Sequence, residues 1–126
     1  MCDRGFFILV FAVRIDPTLD CANATRLAEF WKLALGYQDE PTPAPFAARQ
    51  EWLQQVDPGA GADDGAWLCD PEGVGPRLSL LRVPEPKVAK NRLHMDMRVA
   101  GATALQPFPG HHVVMADPEG NEFCVS

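Results

Sequence analysis

Between Arg92 and Val99 ionisable and apolar residues alternate. In an extended strand Arg92, His94, Asp96 and Arg98 point one way, and Leu93, Met95, Met97 and Val99 the other. The C-terminal stretch behaves likewise, with Phe123 and Val125 on one side and Glu122, Cys124 and Ser126 on the other. Two strands thus offer His94, Asp96, Arg98 and Glu122 toward what reads as one concave surface. His94 and Glu122 could act there as acid and base, because an imidazole titrates near neutrality and a carboxylate can shuttle a proton. Cys124 could serve as a nucleophile near His94 only as a thiolate. An isolated cysteine flanked by apolar residues is more commonly a small core residue. His111 and His112 are adjacent, so only one of them can reach any given face, and a structural role is expected for both. No GxGxxG or P-loop pattern is present, and no GxSxG nucleophile elbow.

Several elements must position these residues. Asn23 to Leu35 reads as a helix, with Asn23 as N-cap, an apolar stripe of Leu27, Phe30, Trp31, Ala34 and Leu35, and Gly36 as a left-handed C-cap. A proline-rich connection, Glu40 to Pro45, leads to a second amphipathic helix expected over Phe46 to Val56. Trp52, on this insert, is a candidate ligand-binding residue able to close over a ligand. Pro58 to Gly65 reads as an acidic loop. The tetrapeptide DPEG occurs at 70–73 and 117–120, each copy between apolar strands (AWLC and RLSLL; VVMA and EFCV). Proline presets φ and glycine takes a positive φ in such a turn. Matching flanks argue for duplication. The polar stretch 84–91 divides module one, about 6–83, from module two, 92–126. Phe6 to Val13 is too short to span a bilayer, which needs about 20 residues, and reads as a buried strand.

Composition bounds the function. With 11 Lys and Arg against 17 Asp and Glu, the net charge of −6 repels phosphate backbones and disfavours nucleic acid and anionic membrane as partners. The 126 residues suit one domain with its own core. Cys2, Cys21, Cys69 and Cys124 form no CxxC pair. Without a secretory signal, reduced thiols and a cytoplasmic location are expected.

The stretches LDCANATRLAEFWKLALGY (19–37), DGAWLCDPEGVGPRLSLLRVPEPK (64–87), KNRLHMDMRV (90–99) and HHVVMADPEGNEFCV (111–125) resemble the vicinal oxygen chelate superfamily, which contains glyoxalase I, bleomycin resistance proteins and extradiol dioxygenases. The resemblance is closest to its glyoxalase-like domain branch. It implies an α+β fold of paired βαβββ modules forming a curled mixed sheet around a cleft, with helices on the outer face. It also implies a homodimer.

In metal-using members the ligands lie on the first and last strands of each module. Carried over by position, they fall on His94, on Asp16, and on Cys124 with Glu122 two residues earlier. The fourth falls on Ser79 or Leu81, neither a good ligand for a hard ion. No cofactor is therefore assigned, and a divalent metal ion is the alternative. The resemblance then implies a small organic molecule held between the modules, with drug sequestration as one form. The ligand contacts would come from Asp16, Trp52, Asp96, Arg98 and Cys124. The other reading is a metal-dependent lyase or dioxygenase, with catalytic His94 and Glu122.

The spacing of the repeat is uneven. Asp16 stands 54 positions before the first DPEG, and His94 only 23 before the second. A parallel crossover needs at least about 10–12 residues. The second-module helix is accordingly expected to be missing, through omission of a segment after about Ala100 or through a genuine deletion.

Overall fold

In a computed structural model the described residues are 13–98 and 113–125. The chain divides into two units, Met1–Pro86 and Lys87–Ser126, so the division falls inside the polar stretch 84–91. The expected strand at Phe6 to Val13 lies almost wholly outside the described residues. The question of a helix after about Ala100 lies outside them too.

Unit 1 contains β1 (Thr18–Cys21), α1 (Ala24–Leu35), β2 (Gln38–Asp39), α2 (Arg49–Val56), β3 (Gly65–Cys69) and β4 (Leu78–Arg82). Its sheet has the order β1-β4-β3-β2. β1 runs parallel to β4, while β3 is antiparallel to both β4 and β2. Unit 2 contains β5 (Met95–Met97), β6 (Val113–Ala116) and β7 (Glu122–Val125), in the order β5-β7-β6. Here β5 is parallel to β7, and β6 antiparallel to it. The three-strand pattern of β1, β4 and β3 is therefore repeated by β5, β7 and β6. The fold is α+β, with two mixed sheets.

α1 forms as its sequence dictates. The Asn23 side chain accepts from Arg26 N at 2.9 Å, and Gly36 closes the helix at φ +69°. Leu27, Ala28 and Trp31 are buried on one face. Across the β3–β4 pair, Leu68 stands opposite Leu78 and Ala66 opposite Leu80, on one face of the sheet. Trp67 stands opposite Ser79 on the other. Trp67 clusters with Leu53 of α2, so alternation turns Leu68, Leu78 and Leu80 toward α1. These leucines, with Leu27 and Trp31, are the largest fully buried side chains, and burial of each contributes about 1.5–3 kcal/mol.

The two DPEG turns share one chemistry. Asp70 Oδ1 accepts from Glu72 N, Gly73 N donates to Asp70 O, and Gly73 takes φ +70°. Asp117 Oδ1 accepts from Glu119 N, Gly120 N donates to Asp117 O, and Gly120 takes φ +81°. Each turn joins an antiparallel pair, so the duplication read from sequence is also a duplication of fold. The strand registers agree. With Asp16 and His94 as equivalent positions, Thr18 corresponds to Asp96, and their partners Ser79 and Cys124 correspond too.

Three elements differ from expectation. α2 begins at Arg49, and Phe46 precedes it, because the backbone is still extended at Ala48. The strand expected over Arg92 to Val99 is regular only over Met95–Met97 among the described residues. The two-residue β2 carries no period that the sequence could display. Cysteine chemistry is divided. Cys21 and Cys124 are not disulfide-bonded, as expected, but Cys69 is, which corrects the expectation of reduced thiols at that position.

Candidate functional site

In unit 2 the β5–β7 register sets Asp96 directly opposite Cys124, on the face that also holds Glu122. The alternation read from sequence is therefore correct in its faces. Cys124 is only 7% exposed. Burial first, then the charge and the hydrogen-bond acceptance of Asp96, push its thiol pKa up. A raised thiol pKa is the opposite of what activates a cysteine nucleophile.

Glu122 and His94 are each tied to the main chain of Asn91. Glu122 Oε2 accepts from Asn91 N at 2.9 Å, and His94 Nε2 lies 3.0 Å from Asn91 O. Lys87 Nζ is 3.6 Å from Glu122 Oε1. The Asn91 amide is the largest influence holding the Glu122 carboxyl below its ordinary pKa, and Lys87 adds to it. Asn91 Nδ2 also donates to Asn121 Oδ1 at 3.3 Å. Sequence reading passed over Asn91, because its role depends on main-chain atoms that every residue carries. Arg98 is exposed and lies just beyond β5.

In unit 1 Asp16 Oδ1 accepts from Arg77 N at 2.9 Å, which ties the chain before β1 to the start of β4. Trp52, from α2, meets Trp67 of β3 edge to face, with centroids 5.0 Å apart at 88°. Leu53 and Ala60 complete this cluster. The Arg49 guanidinium lies 5.0 Å from the Trp52 ring and 4.9 Å from the Trp67 ring. Arg49 Nη2 donates to Glu40 O at 3.2 Å and Pro41 O at 3.1 Å. Arg77 Nε forms a salt bridge with Glu40 Oε2. Burial is the main influence lowering the Arg49 pKa, and the Glu40 carboxylate opposes it. Of this group only Trp52 was singled out from sequence. The i, i+3 spacing of Arg49 and Trp52 was a signal for the second member.

The donor chemistry falls short of the ligand set that the resemblance implies for a metal ion. Among the described residues no three His, Cys, Asp or Glu side chains are placed to hold one. The expected donors already serve the fold. Asp16 and Glu122 each hold a main-chain amide, and burial with the Asp96 carboxylate pushes the Cys124 thiol pKa up. The position corresponding to Cys124 in unit 1 is Ser79, a poor ligand.

Residues 16–126 match the family model described as "Glyoxalase-like domain". Among solved structures, one described as a possible glyoxalase from Bacillus cereus is similar, with a TM-score of 0.52 and 15% identity. The match covers 90% of this chain and 98% of that one, a likeness of fold. No curated protein matches. No helix among the described residues is long and apolar enough to cross a membrane.

Proposed function

The chain belongs to the family of glyoxalase-like domains, and from that premise we propose that it binds a small organic molecule and releases it unchanged, as a sequestering protein does. One observation carries this reading. The side chains best suited to chemistry are engaged in holding the fold: Asp16 on Arg77 N, Glu122 on Asn91 N, His94 on Asn91 O, and Cys124 on Asp96. Catalysis by a pair such as His94 and Glu122 needs groups free to move a proton at the reacting atom. Binding needs only surface of suitable shape and chemistry, and the Trp52–Trp67–Arg49 group supplies apolar area with a polar edge. A homodimer belongs to the same reading, and light scattering after size exclusion would measure it.

The test is a thermal-shift screen against a chemically diverse library, followed by mass spectrometry of each hit after prolonged incubation. Saturable stabilisation with the compound recovered intact supports binding. Conversion of a hit, or stabilisation that requires Ni²⁺, Zn²⁺, Mn²⁺ or Fe²⁺, would overturn it in favour of a metal-dependent lyase or dioxygenase.

A further inference from the structure

Arg49 sits in the angle between two perpendicular indoles, about equally distant from both. One of its terminal nitrogens, Nη2, is satisfied by the carbonyls of Glu40 and Pro41. The other, Nη1, is buried and has no hydrogen-bond partner. Glu40, the carboxylate that acts most strongly on Arg49, is bound to Arg77 Nε. No carboxylate forms an ion pair with Arg49 among the described residues. The carboxylates that act on Arg49, Glu40 and Asp39, are bound instead to Arg77 and Lys32, so the guanidinium is a cation without an ion pair inside a chain whose net charge is −6.

We propose that Arg49, flanked by Trp52 and Trp67, is a subsite for the carboxylate of a planar aromatic ligand, with Nη1 donating to one carboxylate oxygen. The proposal rests on the small-molecule reading above and narrows it to a ligand class. A guanidinium fork matches a carboxylate in plane and in hydrogen-bond geometry, and charge assistance makes such bonds stronger than neutral ones. Stacking on indoles holds the fork in one orientation before the ligand arrives. The two tryptophans differ in freedom. Trp67 is 8% exposed and clusters with Leu53 and Ala60, whereas Trp52 is only half-buried and packs against that cluster. Trp52 is therefore the ring that turns aside to admit the carboxylate and then lies against the ligand's own ring. The negative net charge of the whole chain repels anions, so selection of an anion must come from this local cation.

The experiment is a titration of intrinsic tryptophan fluorescence with three probes, benzoate, its neutral analogue benzamide, and the non-planar cyclohexanecarboxylate. Benzoate is expected to bind saturably, at least tenfold more tightly than benzamide and severalfold more tightly than cyclohexanecarboxylate. Arg49→Gln is expected to abolish the preference for benzoate over benzamide, and Trp52→Leu to abolish the preference for the planar acid. Equal binding of benzoate and benzamide by the unaltered protein would overturn the proposal, whatever the variants do. So would an undiminished preference in folded Arg49→Gln, or no saturable response to benzoate. If the library screen still yields ligands of another class, small-molecule binding stands and only the carboxylate assignment falls.

Discussion

Asp96 and Cys124 face each other across a parallel strand pair, and burial together with that carboxylate pushes the thiol pKa up. The protonated thiol is thereby favoured where the resemblance implies a metal ligand. The position in unit 1 equivalent to this pair, Thr18 opposite Ser79, carries two hydroxyl side chains. The repeat has kept a polar pair at this place in both units, with different chemistry.

That pairing predicts a sluggish thiol. Because the folded-state pKa is raised, Cys124 stays protonated to a higher pH than a free cysteine. The stability it confers is fully present below the unfolded thiol pKa and is lost as pH rises through the folded one. Site-resolved iodoacetamide labelling at pH 8 should modify native Cys124 at least tenfold more slowly than the same residue in urea. Asp96→Asn, which removes the facing charge, should raise the native rate. An unchanged rate in a folded variant would count against the pairing.

Glu122 predicts the opposite pH dependence. Its folded pKa is lowered, chiefly by the Asn91 amide and then by its own amide and Lys87. The stability it contributes is present above the unfolded carboxyl pKa of about 4.3 and is lost as pH falls through the folded value. Glu122→Gln should lower the urea midpoint at pH 7 and close most of that gap near pH 3. A gap that is the same at both pH values would show that the charge on Glu122 is not what matters.

Gly65 is fixed by Trp67. A Cβ at residue 65 would lie 2.5 Å from Trp67 Cη2, and the buried indole has little room to retreat. Gly65→Ala should cost about 1–3 kcal/mol as an overpacked site, read from urea unfolding. The near-UV circular dichroism of the Trp52–Trp67 pair should change with it. A variant as stable as the parent would mean that the ring is not held over the glycine.

The core can be tested by contrast within one measurement. Leu68→Ala, at a fully buried position under α1, should cost about 2–5 kcal/mol. Leu33→Ala, on the outer face of the same helix at 88% exposure, should stay within about 0.5 kcal/mol. Equal losses would refute the assigned faces of α1 and β3.

Local signals were enough to read α1, the two DPEG hairpins and the faces of β5 and β7. Each rests on periodicity, on a cap, or on a turn residue whose φ is written in its type, as Asn23, Gly36, Gly73 and Gly120 show. The family was legible for the same reason, since its elements occur in order along the chain. The start of α2 was misread because the apolar pattern begins at Phe46 while the backbone turns helical only at Arg49.

What the sequence determined by itself is the set of elements and the side each residue takes on its own strand or helix. Tertiary structure alone decided what those side chains do. Asn91 binds Glu122 and His94 through main-chain atoms, which no residue type reveals. Arg49 and Trp67 belong to successive elements joined by a loop, and their contact arises only when α2 packs on the face of β3 opposite α1. Periodicity tells which way a side chain points. It does not tell what lies there, because that depends on contacts between elements whose separation in sequence carries no local signal.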